Sequence, residues 1–405
     1  MHHTLRNRAG IGLPIALAAV VIVSGIIAAA SFTSTQSYRL DGNALVQERA
    51  LAAAEEGQAR IVRDWSTAWN AKPDGDTLVR NYSFAGGSSA RVVVTRLNPA
   101  TFWVASEGAA NQTSRQQNAR RRTSLLLRLN VPNLRIPGAV SARDATRASG
   151  SGTINGNDVN PLGWDCEAGG PPAAALATDS LVDMLATGSC SGGACMTTGA
   201  PSPMVADTVL RDTTTFGSAL GWDDLKSQAM SSSSGMVMDV PTASGPGSFT
   251  LNGIAPTYNV DGSCKTNDYG NWGDVNRNPI LPGRCEGHFP VIYLRGDGAN
   301  SYTVINGGSG QGVLIVDGNL QINGSFTFYG PIIVRGNFKT NGSSSGIKIT
   351  GGVMVGNTYC QSNPYAPCNE LGGNTSIQYS RCAILSAVTK SAKVVQASRP
   401  WADLF

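Results

Sequence analysis

Three kinds of hydrophobic pattern follow one another along the chain. Between Ile11 and Phe32 apolar and small residues run without a charge, and the charge-free stretch continues to Tyr38. About 20 apolar residues span a bilayer, so the segment is long enough to cross one, and it exceeds the roughly 7 to 15 residues of a secretory h-region. Arg6 and Arg8 precede it and Arg39 follows well after it, which by the positive-inside rule leaves the N-terminus in the cytoplasm and the remaining chain outside. From Val46 the pattern changes. Val46, Ala50, Ala53, Gly57, Ile61, Trp65 and Ala68 recur at steps of three and four, with Glu48, Arg49, Glu56, Arg60 and Asp64 on other faces, the signature of an amphipathic helix. Lys72-Pro73-Asp74-Gly75 stops it. As the two halves of this first, helical pattern they predict one near-continuous helix over 11–70, approaching ~90 Å at 1.5 Å per residue, with kinks at Pro14 and at Asp41-Gly42-Asn43. The competing reading is a cleaved secretory signal, with Ala28-Ala29-Ala30 as the small-residue site before Ser31.

The second pattern alternates with period two. Leu78 to Phe84, Ala90 to Leu97, Thr101 to Ser106 and Thr123 to Leu129 read as strands separated by Gly-Gly-Ser-Ser, Asn-Pro and Glu-Gly turns. They predict a small antiparallel sheet packed on the helix through Trp65, Trp69 and Trp103.

The third pattern is a repeat. With glycines in register, VIYLRG (291–296), VLIVDG (313–318), PIIVRG (331–336) and GVMVG (352–356) recur at intervals of 22, 18 and 20. Short strands at such a period stack as rungs, most simply a β-helix. Parity assigns the faces: Arg295, Asp317, Arg335 and Val355 point out, as do Tyr293, Ile315, Ile333 and Val353 two residues earlier. Arg295, Asp317 and Arg335 then form a surface charge ladder, expected to be exposed. The second set is apolar, so a further layer covers that side, supplied by a helix over Cys382 to Thr389. ARDATRASGSGTING (142–156) aligns without a gap onto VDGNLQINGSFTFYG (316–330), which makes 136–156 an early rung.

The N-terminal residues also resemble a known family. A basic leader ending in glycine, Arg6-Asn7-Arg8-Ala9-Gly10, followed by the apolar helix and by Arg49-Ala50-Leu51-Ala52-Ala53-Ala54-Glu55-Glu56-Gly57, is similar to the PilX-type minor pilins of type IV pilus systems. The repeat phrase GVLIVDGNLQING and the closing Arg399 to Phe405 resemble the C-terminal region of the same proteins. The resemblance implies cleavage between Gly10 and Ile11 by a prepilin peptidase, with Gly12 a weaker site. The helix then serves as inner-membrane anchor and later as the stem that packs against other pilins. The fifth residue after the cut is Ile15, where major pilins usually carry glutamate. PilX-type proteins and the tip pseudopilins of type II secretion commonly lack that carboxylate, so the implied role is a minor or tip subunit.

Eight cysteines in an exported chain are expected to pair in an oxidising compartment. Cys166, Cys190, Cys195, Cys264 and Cys285 precede the main rungs and Cys360, Cys368 and Cys382 follow them. Both counts are odd, so if all pair, at least one bridge joins the two groups. Nearest neighbours suggest Cys190 with Cys195 and Cys264 with Cys285; the others stay unassigned. Zinc at Cys190/Cys195 and Cys360/Cys368 is the weaker account, lacking a nearby histidine.

Charge and chemistry add exclusions. A net charge of +4 is too small for a nucleic-acid footprint, and Arg120-Arg121-Arg122 reads as a solvated strand end. His2 and His3 leave with the leader, and His288 alone builds neither a histidine metal site nor a conventional triad. Gly308-Ser309-Gly310-Gln311-Gly312 lacks the Lys-Ser/Thr ending of a phosphate loop. Asn259, Asp261, Asp268 and Asp274 crowd one loop with oxygens of the calcium-binding type, but their spacing fits no EF-hand. No catalytic residue, cofactor or metal is assigned.

Together these readings predict a mainly β, α+β chain: leader 1–10, transmembrane and amphipathic helix 11–70, antiparallel sheet 71–135 and first rung 136–156. A cysteine-containing Gly/Ser-rich insertion (157–290), main β-helix-like rungs (291–358) and a C-terminal cap (359–405) complete it. The expected function is a non-enzymatic minor pilin, of a type IV pilus or a type II secretion pseudopilus, acting in assembly or adhesion. The expected location is the inner membrane and the pilus, with the folded part periplasmic or extracellular. The alternative is an anchored or secreted β-helix that binds or degrades polysaccharide.

Overall fold

A computed structural model describes residues 12–112, 117–132, 134–164, 166, 169–179, 184–186, 195–197, 204–211, 222–231, 235–239, 249–276, 284–295, 302–358 and 368–404. It is α+β and mainly β. Helix α1 (Gly12–Arg63) runs unbroken through Pro14 and Asp41–Asn43 for 52 residues, roughly 78 Å at 1.5 Å per residue. It ends seven residues before the expected Asn70. Ser66 accepts a hydrogen bond from the Ala68 N–H and starts a separate 3-10 turn, Thr67–Ala71, and that turn is what precedes Pro73.

Strands β1 (Thr77–Ser83), β2 (Ser88–Asn98), β3 (Thr101–Gln112) and β4 (Gln117–Asn130) form the expected antiparallel sheet. Phe102, Val104, Leu125 and Leu127 face Ile61 and Trp65 of the helix segment in one core. Of the three tryptophans expected at this interface, Trp65 is buried and Trp69 half-buried, but Trp103 is 44% exposed. Alternation along β3 turns Phe102 inward instead, and its ring meets Trp65 edge-on at 4.9 Å.

The rest is a stack of parallel strands in three columns. The first column holds β5 (Gly138–Ala142), β8 (Ala174–Thr178), β11 (Met204–Ala206), β12 (Gly235–Asp239), β14 (Val291–Arg295) and β16 (Val313–Asp317). The ends of β17 (Asn319–Val334) and β18 (Phe338–Val355) complete it. The second holds β6 (Thr146–Ala148), β9 (Met184–Ala186), β13 (Phe249–Asn252) and the starts of β15 (Tyr302–Gln311), β17, β18 and β19 (Asn369–Tyr379). The third holds β7 (Thr153–Asn155), β10 (Met196–Thr197) and the remaining parts of β15, β17, β18 and β19. Leu314 and Val316, Leu320 and Ile322, and Phe326 and Phe328, one pair from each column, share a single inner core.

The expected insertion, 157–290, is corrected by this arrangement: β8 to β13 are strands of the stack. None carries the VIYLRG phrase: β9, β10 and β11 are two or three residues long, and the alanine-rich β8 is buried at every position. The expected cap, 359–405, is corrected likewise. Strand β19 is another rung, helix α3 (Arg381–Lys390) follows, and β20 (Lys393–Leu404) returns to pair with β4 as the fifth strand of the antiparallel sheet.

Helix α3 covers the outer face of the first column, as its apolar parity requires. Ile384, Ala387 and Val388 meet Tyr293, Ile315, Ile333 and Met354 in a second core. A further helix, α2 (Trp222–Ser231), covers the same face through Trp222, Leu225 and Ala229. The fourth repeat is shifted by one from its glycine alignment: Val355 pairs with Val334 and Met354 with Ile333. Val353 and Val355 therefore face inward. The turn Val355-Gly356-Asn357 is one residue shorter than Val334-Arg335-Gly336-Asn337, so matching glycines misplaces the strand. Asn357 nonetheless reaches Asn337, its side-chain amide donating at 3.2 Å.

The gapless alignment of 142–156 onto 316–330 holds in all three columns. Ala142 follows Val355 and Val334, Arg147 follows Glu370 and Lys339, and Thr153 follows Ser376 and Lys348. Gly150 and Gly324 occupy matching turns at φ 82° and 76°, a left-handed conformation that glycine adopts without a Cβ penalty. Followed rung by rung, the winding begins at β12 and rises to β19; the next turn is then taken up by β5, and the stack ends at β11. Tyr379 and Gly138 are thus successive in the winding but far apart in the chain.

Candidate functional site

The most distinctive surface is the first half of α1. Every residue from 12 to 41 is exposed, among them Leu13, Ile15, Val20, Val21, Ile26, Ile27 and Phe32, with Leu13 78% exposed. Monomeric soluble surfaces rarely show contiguous apolar area of this extent. By length and composition this helix is able to cross a membrane. The expected cleavage pair, Gly10 and Ile11, lies outside the described residues.

The second half of α1 is gripped by the sheet. Its buried residues are Gly42, Val46, Ala50, Ala53, Ala54, Gly57, Gln58 and Ile61, mostly small, and the backbones approach closely as a result. A Cβ on Gly108 of β3 would lie 2.0 Å from the Ala50 carbonyl oxygen, and one on Gly57 would lie 2.7 Å from Ala90 Cβ. Around this seat, Arg121 donates to Gln47 at 2.8 Å, and Arg120 and Arg122 bracket Glu107 at 3.1 and 2.6 Å. The arginine run is a strand end paired on an exposed face, and the hydrogen bond from Arg122 holds the Glu107 carboxyl below its ordinary pKa.

Asn70 joins stem and stack. It is fully buried, accepts from Trp65 Nε1 at 2.9 Å, and donates to the carbonyls of Lys390, the last residue of α3, and of Ala392 beyond it, at 3.1 and 2.8 Å. No periodic pattern marked Asn70 in the sequence; its only signal was a polar side chain in the turn after the amphipathic run.

Two bridges are described. Cys264 pairs with Cys285, and Cys166 with Cys382, the latter joining the two cysteine groups as their parity requires. Cys195 and Cys368 are also disulfide-bonded. Cys190 and Cys360 lie outside the described residues, and with them the suggested Cys190–Cys195 pairing. The Cys264–Cys285 loop closes one end of the stack, where Ile254 and Trp272 enter the inner core and the Gln311 N–H donates to the Trp272 carbonyl at 2.7 Å.

The expected charge ladder is in register, with Arg295 aligned on Asp317 and Arg335 reaching it from the next rung; Arg295 is exposed as expected, but Asp317 is not. Asp317 accepts from Tyr293 Oη and from Arg335, both at 3.0 Å, and its side chain is only 14% exposed. Helix α2 lies over it, with Lys226 above the Tyr293 ring and Arg335 above that of Trp222. Burial, then the adjacent Asp317, push the Tyr293 hydroxyl pKa up.

The acidic loop spends its oxygens internally. Asp261 accepts from both the N–H and the hydroxyl of Ser263, and Asp268 accepts from Gly270 N–H and Thr257. These bonds hold both carboxyls below their usual pKa. Among the described residues no cluster of three or more His, Cys, Asp or Glu is arranged to hold a metal. His288 is buried beside this loop, and desolvation lowers its pKa to about 4. No family model matches the chain, nor does any curated protein or solved structure.

Proposed function

We propose that this chain is a non-enzymatic minor pilin, of a type IV pilus or of the related type II secretion pseudopilus. In this reading a prepilin peptidase cleaves between Gly10 and Ile11. Helix α1 then anchors the subunit in the inner membrane with its folded part outside, and later packs among the stems of other pilins. The three-column stack is a β-helix displayed at or near the filament tip, serving assembly or adhesion. One observation carries the reading: a single helix is exposed over its first thirty residues, apolar as far as Phe32, and seated on an antiparallel sheet over the remainder. An apolar half-helix of this kind is stable in lipid or among other apolar helices, and costly in water. Sequencing the N-terminus of the mature protein tests it: Ile11 is expected, and Gly10→Trp should leave an unprocessed form in the inner membrane. A mature protein beginning at Ser31, or processing indifferent to Gly10, overturns it.

The stack of parallel strands supports a second reading, an envelope-anchored β-helix that binds or degrades polysaccharide. Shortening of a purified bacterial polysaccharide on incubation with the folded domain would favour it over the pilin.

A further inference from the structure

The winding is made of two pieces of chain that meet at a seam. One piece, through Ala206, contains the stem, the sheet strands β1 to β4 and the rungs β5 to β11. The other, from Trp222 onward, contains the rungs β12 to β19, helix α3 and β20. Between them the backbone crosses once, from β11 at one end of the stack to β12 at the other. That crossing spans seven strand spacings, roughly 34 Å at about 4.8 Å each.

Strand pairing between the two parts of the stack lies along the seam, and away from it Trp164 packs edge-on against Phe289 and Tyr329, both at 5.6 Å. In the three columns, β18 meets β5 and β19 meets β6 and β7. Side chains follow the same line: Thr153 donates to Ser376 at 3.2 Å, Asn155 to Gln378 at 2.8 Å, and Asn369 to Thr146 at 3.2 Å. Beyond the stack, β20 pairs with β4 and Asn70 holds the end of α3. A single covalent bond among the described residues crosses this line, the Cys166–Cys382 bridge, between partners 216 residues apart. Beside it the Asp158 carboxylate accepts from the Arg381 N–H at 2.8 Å. A 200 Å³ cavity lined by Asp158, Arg381, Leu385 and both cysteines opens onto the bridge, which gives a small thiol or disulfide reagent access to it.

We infer that the stack is a two-part body whose seam is sealed by oxidation of Cys166 and Cys382, a redox lock that closes only in an oxidising compartment. In the sealing step the two thiols lose two protons and two electrons, a sulfur–sulfur bond forms between them, and a disulfide-carrying oxidant is released as two thiols. Before that step the described residues join the pieces only by non-covalent contacts and the one backbone crossing, and a seam held in that way opens locally while each piece keeps its own rungs. After it, separation of the pieces is limited at the bridge. The lock is independent of whether the stem serves a filament.

Hydrogen exchange on the full chain tests the lock. The double variant Cys166→Ser/Cys382→Ser leaves the other cysteines intact. Amides of β5 to β7, β19 and β20 should lose at least about tenfold protection, while β14, β16 and β17 stay as in the oxidised protein. Unchanged protection at the seam, or equal loss throughout the stack, overturns the inference. A second variant guards against a purely local defect. Adding Thr153→Cys and Ser376→Cys to the double variant places a new bridge elsewhere on the same line, and it should restore seam protection. If the new bridge forms and protection stays lost, Cys166 and Cys382 act by local packing and the lock is wrong.

Discussion

The Asp317 carboxylate meets the Arg335 guanidinium at 3.0 Å from the next rung, while the Tyr293 hydroxyl donates to its other oxygen from the rung before. Lys226 of α2 sits over the Tyr293 ring and Arg335 over that of Trp222, so removing the carboxylate takes two hydrogen bonds from a side chain only 14% exposed. Asp317→Ala should therefore cost about 2–3 kcal/mol, in the range for losing charged hydrogen bonds at a part-buried site. An exposed ladder would have put the cost below about 1 kcal/mol. Urea unfolding of the stack distinguishes the two.

Asn70 makes four hydrogen bonds from a fully buried side chain, one accepted and three donated. Asn70→Ala removes the acceptor of the Trp65 Nε1–H and the donor to the carbonyls at the end of α3, and should destabilise by about 2–4 kcal/mol. The expected signature is early loss of the β4–β20 pairing, read as faster hydrogen exchange in β20.

Gly108 sits where helix and sheet backbones nearly touch. Gly108→Val inserts atoms into the space of the Ala50 carbonyl and should lower stability by about 3 kcal/mol or more. Helix α1 should lift from β3, so quenching of the Trp65 and Trp69 fluorescence by a soluble quencher should rise. Unchanged stability and unchanged quenching would show that the seat is looser than these distances require.

His288 predicts a pH dependence. Its folded pKa of about 4 lies below the ordinary 6.5, so the unfolded chain binds the proton first as pH falls. The stability it contributes is complete above pH 6.5 and declines between 6.5 and about 4, by up to about 3 kcal/mol. His288→Gln should flatten that part of the curve relative to the unmutated chain, measured as melting temperature against pH. Parallel curves for the two proteins would contradict the assignment.

Residue patterns carried much of this architecture and failed at identifiable places. The helix, four strands of the antiparallel sheet, the 291–336 repeats and the early rung were legible because their periods are long or their glycines sit at fixed turns. Strand β8, Ala-Ala-Leu-Ala-Thr, was not, since a strand buried on both faces has no alternation to read. Helix α2 was hidden in a Gly/Ser-rich stretch, although Trp222, Leu225 and Ala229 keep helical spacing. The shift at Val355 was invisible because one turn is a residue shorter while its glycine is retained. Cysteine parity located the Cys166–Cys382 class of bridge without geometry. Nothing in the sequence announced that the last rung would be continued by the first, because a repeat records similarity between rungs and not their order in space.

That order places the connection between stem and stack at the waist of the stack, not at either tip. The chain leaves β4 for β5 and returns from β19 through α3 to β20, so two neighbouring strands of one sheet hold the two pieces on either side of the seam. Tension applied along α1 is divided between those strands, β4 carrying it by its own backbone and β20 by shear across the β4–β20 ladder. A load shared unequally acts as a wedge at the waist, and the Cys166–Cys382 bridge is the rivet that converts the peeling of one piece from the other into stretching of a covalent bond.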